Sequence, residues 1–269
     1  MLQKELDLIQ KREALVAEAR QFNLLSNVFM SVALNHKPAC QYVLRILTGI
    51  PDLTVKEVRS QYRISKMASH DAILDILAED SQGKLHNLEI QRSETIDHAR
   101  RTRFYGSMID SEYLMKGMEY SKLPDTHIIY VSETDLWKAG CTVYPVEKRF
   151  GNTDIPYEDG QHILYVNAEI DDGSETAGLM KYFKTADPQD MNHGDLSKRI
   201  HFLKCEEGGY QEMCEISEKI YQQGEAEGRA DAKRETALNL AKMGLSIEQI
   251  AVAVNISVSV VKQWLDSSL

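Results

Sequence analysis

The chain has 269 residues, 43% of them apolar and 27% charged, with a net charge of −10. That suffices for one α/β domain with a small appendage and is too rich in hydrophobics for wholesale disorder. Cys40, Cys141, Cys205 and Cys214 form no CxxC pair and the eight histidines no HExxH or HxxxH pattern, which argues against a disulfide scaffold or a zinc site and for reduced thiols in a cytoplasmic protein.

In chain order, residues 1–21 read as a charged N-terminal helix and not as a signal peptide. Residues 22–50 read as two helical stretches, broken near Asn35–Pro38 and ended by Gly49 and Pro51. Strands are expected over 56–66, 72–79 and 85–91, then a helix from about Ile96 to Gly117. Further strands are expected at 127–131, 142–146 and 163–167, followed by helices near 176–184 and 195–223. Residues 22–223 would form the main domain, 224–235 a charged linker and 236–269 a separate module. The element order suits a mixed α/β (α+β) sheet, not a doubly wound one. No run approaches the ~20 apolar residues of a membrane span, so no membrane association is expected.

The candidate chemistry lies in AILDILAEDSQGKLHNLEIQ, residues 72–91. Asp80-Ser81-Gln82-Gly83 is turn-forming. If the hairpin pairs Asp80 with Lys84, Asp75 falls opposite Glu89, and the period of two brings Gln91 to the same face. Leu74, Ile76, Ala78, Leu88 and Ile90 would line the other, apolar face. Two carboxylates this close repel unless a proton or cation lies between them, and Mg²⁺ suits such a pair. From spacing alone, an ordinary solvated strand face is the favoured reading, and a register slip of one residue would separate the two acids.

At these residues the sequence resembles the PD-(D/E)XK nuclease superfamily, in particular its transposase-like, recombination-promoting branch. The stretches LDILAED and NLEIQ match its two motif strands, and RRTRFYGSMID, LMKGMEYSKLP and THIIYVS follow in the family's order, within about 22–225. The resemblance implies a restriction-endonuclease-like mixed sheet flanked by helices and a metal-dependent DNA endonuclease using Mg²⁺ or Mn²⁺. It places Asp75 and Glu89 as metal carboxylates, counts Ile90 among the metal positions and adds Gln91 as a catalytic position. Gln91 stands where the superfamily usually has Lys, and an amide carries neither a proton nor a charge. Arg100 or Arg103 of the next helix would supply that charge, with Tyr105 nearby; a solvated helix face accounts for the arginines equally well. Family members often carry an acid where this chain has Asn23.

In residues 237–267, Gly244 stops one helix, Ser246 and Gln249 form a capping box, and Asn255 suits a left-handed turn. This resembles the helix-turn-helix of resolvases and regulators, whose second helix enters the major groove. Ser259, Lys262 and Gln263 would then face DNA, and a three-helix bundle for dimerisation is the alternative. DNA is the expected partner, with a homo-oligomer left open. A degenerate DNA-binding relative of the nucleases, favoured by Gln91, Asn23 and the acidic charge, and a helix-mediated interaction protein are the competing functions.

Overall fold

The computed structural model describes residues 21–65, 71–91 and 97–266, with the side chains of 216–217, 219–231, 263 and 266 outside the description. The expected N-terminal helix over 1–21 and the side chain of Gln263 thus lie outside the described residues, Gln21 excepted. The described residues divide into two units, the first holding 21–64 and 72–217 and the second holding 218–266 together with Ser65 and Asp71.

The first unit begins with helices α1 (Asn27–Leu34) and α2 (Lys37–Thr48). Pro38 sits in the first turn of α2, where no amide hydrogen bond is lost, and Gly49 ends it in the left-handed region at φ 67°. Strands β1 (Val55–Ile64), β2 (Ala72–Asp80) and β3 (Leu85–Gln91) follow. Then come α3 (His98–Tyr113), β4 (Thr126–Ser132), β5 (Val143–Val146) and β6 (Gln161–Asn167). Helices α4 (Glu175–Thr185) and α5 (Gly194–Cys205) complete the unit with the start of α6 (Glu207–Lys242).

The single helix expected over 195–223 is two helices. Glu206 is extended at φ −110°, ψ 146°. Gly209 then packs so closely on the end of α5 that a Cβ would lie 2.0 Å from the Phe202 carbonyl oxygen. Residues 224–235, the expected charged linker, are part of α6, which continues to Lys242.

The six strands form one sheet in the order β1-β2-β3-β4-β6-β5. The β1–β2, β2–β3 and β5–β6 pairs are antiparallel, and β3–β4 and β4–β6 are parallel. Such a mixed sheet flanked by helices fits a restriction-endonuclease-like fold. Helices α1, α2, α4 and α5 cover one face, packing Phe29, Leu44, Phe183 and Ile200 against Ile76, Leu88, Ile90, Ile129 and Val131. Helix α3 covers the other, packing Tyr105, Met108 and Ile109 against Leu74, Leu77 and Leu85. Helices on both faces explain why Leu85–Ile90 is buried without a break.

The β2–β3 register is the expected one, with Ile76 opposite Leu88 and Ala78 opposite His86. It is set by the turn: the Asp80 amide donates to the Lys84 carbonyl at 3.0 Å, and Gly83 takes φ 81°. The Asp80 carboxylate accepts from the Gln82 and Lys84 amides and contacts His86 Nε2 at 3.0 Å, so this acid is a turn cap. One expectation fails. Leu74 joins the α3-side cluster with Leu77, while Ile76 and Ala78 face the opposite cluster, so the alternation breaks at Asp75.

In the second unit, α7 (Ile247–Val254) and α8 (Val258–Asp266) follow the end of α6. Ser246 and Gln249 form the expected reciprocal cap, and Asn255 takes φ 52°. Ala237, Ile250, Ala251, Val254 and Val261 are its buried core, with Ile247, Ile256, Trp264 and Leu265 at the margin. Val260 is only half-buried, and Ser259 and Lys262 are exposed.

Candidate active site

The site forms where β2 and β3 stop pairing as an ordinary ladder. Their paired register extends from Glu79–Leu85 to Ile76–Leu88. One step further, side chains replace backbone acceptors: the Ile90 amide donates to Asp75 Oδ2 at 3.0 Å, and the Asp75 amide to Glu89 Oε1 at 3.2 Å. Each carboxylate is thus held by the opposite strand, which brings Asp75 and Glu89 together as the register requires.

On the other side of Asp75, β1 contributes Gln61. Ser60 pairs with Ile76 and Tyr62 with Leu74, so Gln61 falls opposite Asp75. Its backbone is left-handed at φ 50°, a conformation that costs a non-glycine residue roughly 1–2 kcal/mol. From there its amide nitrogen donates to Asp75 Oδ1 at 3.2 Å and to Ser31 Oγ of α1 at 2.9 Å. Gln61 leaves no local signal in the sequence, because its contact to Asp75 spans two strands. Asn23, where an acid was the family expectation, instead bonds the Lys184 carbonyl and the Leu25 amide.

Asp75 is 7% exposed and Glu89 only 2%. Burial raises both pKa values, Glu89 well above its ordinary range, with the charge of Asp75 as the second cause. A buried carboxylate costs several kcal/mol to keep ionised, more than the roughly 1.5–3 kcal/mol a neighbouring Leu or Ile contributes by burial. Two such acids side by side in a sheet interior are a destabilising feature that packing alone does not explain.

Gln91 joins the site through α3. Arg101 NH1 donates to Gln91 Oε1 at 2.6 Å, and Arg101 Nε donates to the Tyr105 hydroxyl at 2.6 Å. Arg101 therefore occupies the place foreseen for Arg100 or Arg103. Both of those are exposed, and Arg100 pairs with Asp97 at 3.6 Å. RRTR left three arginines to choose from, and the phase of α3 against the sheet selects the second. Tyr105 is buried, and that burial pushes its hydroxyl pKa up, so it stays a neutral hydrogen-bonding group.

The residues fit a hard divalent cation. Asp75 and Glu89 offer carboxylate oxygens whose burial disfavours unneutralised charge. In an extended strand the N–H and C=O of one residue point to the same edge. The Ile90 carbonyl thus lies on the edge where its amide meets Asp75. Among the described residues no group of three or more His, Cys, Asp or Glu is placed to hold a metal. A carboxylate pair is a donor set that Mg²⁺ accepts, with water and phosphate oxygen filling the rest of its shell.

Residues 49–171 match the family model described as PD-(D/E)XK nuclease family transposase, a narrower span than the 22–225 of the sequence resemblance but one that includes every residue of this site except Ser31. No curated protein and no solved structure matches the chain.

Proposed function

We propose that the PD-(D/E)XK nuclease family transposase domain carried by residues 49–171 hydrolyses phosphodiester bonds in DNA as a divalent-metal-dependent endonuclease. The observation that carries this reading is the buried Asp75–Glu89 pair, held across β2 and β3 by each strand's amides. A Mg²⁺ or Mn²⁺ ion bound there would offset the paired negative charge, polarise the phosphate and ease deprotonation of an attacking water.

This chain's own groups have separate tasks. Gln61 and the Ile90 amide fix both oxygens of Asp75. Arg101 supplies the positive charge that Gln91 lacks, and its guanidinium suits a developing phosphate charge. The Gln91 amide and the Tyr105 hydroxyl hold that guanidinium in orientation. Arg100 and Arg103, exposed on the same helix, suit contacts to flanking phosphates. In the second unit, Ser259, Lys262 and Gln263 of α8 would face DNA in a helix-turn-helix mode. The chain's acidic net charge makes such contacts local.

Plasmid cleavage tests the reading. Wild type in Mg²⁺ or Mn²⁺ should nick or linearise supercoiled DNA, and EDTA, Asp75→Ala or Glu89→Ala should each abolish it. A folded wild type that binds DNA but never cuts it in either metal would refute hydrolysis and leave a non-catalytic DNA-binding protein.

A further inference from the structure

The face of the sheet under α3 carries a second feature in line with the acids. Glu89 of β3 pairs with Tyr130 of β4, Tyr130 with Tyr165 of β6, and Tyr165 with Tyr144 of β5. At ~4.8 Å per strand, Tyr165 stands about 10 Å from Glu89 along this row. Tyr165 and Tyr144 help line a cavity of about 490 Å³, together with Ala99 and Thr102 of α3, Ile163, and Trp137 from the loop between β4 and β5. Thr102, the residue after Arg101, has its hydroxyl 2.9 Å from the Tyr165 hydroxyl, so the helix that carries the site's arginine also walls the cavity.

Trp137 is the unusual member. It is 46% exposed, yet its loop is fastened by a buried carboxylate. Asp135 accepts from the Trp137 amide at 3.2 Å, the Lys138 amide at 3.0 Å, the Gly140 amide at 3.0 Å and the Tyr144 hydroxyl at 2.7 Å. The Asp135 amide in turn donates to Glu169 Oε2 at 2.8 Å. The indole meets the Tyr165 ring edge-on, with centroids 5.2 Å apart. Hydrogen bonds in the loop fix the Trp137 backbone and the Tyr165 ring braces the indole, which stays about half exposed at the edge of the cavity. A preorganised aromatic surface binds a flat partner with little ordering cost.

We propose that this cavity receives an unpaired nucleobase of the DNA strand whose backbone lies at Asp75 and Glu89, stacked on Trp137. The proposal rests on the phosphodiesterase reading and narrows its substrate to single-stranded or locally opened DNA, since a base within a duplex cannot leave its partner without cost. The flat apolar walls suit any of the four bases, because stacking needs only a π-face.

The chain has two tryptophans, so Trp264→Phe leaves Trp137 as the sole indole reporter. In EDTA, where no cleavage occurs, a thymidine oligonucleotide should quench that fluorescence saturably. A blunt duplex and an abasic oligonucleotide of equal charge should not. In the wild-type background, Trp137→Ala should weaken oligonucleotide binding, read by fluorescence anisotropy of a labelled strand, by roughly tenfold, the size of one base–aromatic stack, and Trp137→Phe should restore most of it. Equal quenching by the abasic strand, or unchanged affinity in Trp137→Ala, would overturn the proposal. Binding is read without metal, so the two readings fail separately. Cleavage lost in Asp75→Ala with Trp137→Ala fully active and unaltered in binding would sink the cavity alone. Base-dependent quenching in a protein that never cuts would sink hydrolysis alone.

Discussion

Replacing Glu89 by Gln removes a buried charge and keeps its shape. The new carbonyl oxygen can accept from the Asp75 amide as Oε1 does now. Burial, then the neighbouring Asp75 charge, raises the folded-state pKa of Glu89 well above 4.5. A carboxyl with a raised folded pKa binds its proton more tightly in the folded state. Its stabilising effect is complete below 4.5 and is lost as pH rises through the folded pKa. For one proton the slope between those limits is at most ~1.4 kcal/mol per pH unit. The stability of Glu89→Gln relative to wild type in EDTA should therefore climb with pH above 4.5 and level off beyond the folded pKa. The histidines contribute equally to both proteins and cancel in the difference. At about 2–4 °C per kcal/mol for a unit of this size, the melting temperatures should diverge by roughly 3–6 °C per pH unit on the steep part. Trp137 fluorescence in a Trp264→Phe background would follow melting of the first unit specifically. Mg²⁺ should raise the wild-type melting temperature, increasingly so at higher pH, and leave the Gln variant nearly unmoved. A difference curve that stays flat from pH 5 to 8.5 would refute the claim that Glu89 is held against its charge.

Two further outcomes follow from the same geometry. Arg101→Gln should lower kcat for DNA cleavage by roughly 10²-fold, as for loss of one preorganised charge-stabilising donor, while Arg100→Ala and Arg103→Ala should act mainly through salt-dependent binding; single-turnover rates at saturating DNA separate the two. Away from the site, His127 is stacked between His86 and His162 at 4.7 and 4.6 Å, and burial, followed by its histidine neighbours, pulls its pKa down to about 4. A depressed histidine pKa gives stability that is present above 6.5 and lost as pH falls toward 4, so His127→Phe should shift the acid-unfolding midpoint of the first unit downward, and an unchanged midpoint by circular dichroism would show that His127 takes no part.

What could be read from the chain was local. Asp80-Ser81-Gln82-Gly83 imposes its turn through hydrogen bonds within five residues, and the turn fixes the register, so Asp75 and Glu89 could be placed together before any packing was known. The cap at Ser246 and the left-handed Asn255 were legible for the same reason, because each uses groups only a few residues away. The phase of α3 depends on how its apolar residues seat on Leu74, Leu77 and Leu85, and only that packing turned Arg101, and not Arg100 or Arg103, toward Gln91. The break in alternation at Asp75 and the left-handed Gln61 beside it arise together where β1 lies against β2, and neither strand shows them alone. The row from Glu89 to Tyr144 exists because β6 lies between β4 and β5, an order that leaves no mark on the segments it joins. Turns and caps close over distances the chain spans by itself; strand order and helix phase are decided by which apolar surfaces bury each other, and that depends on the whole fold.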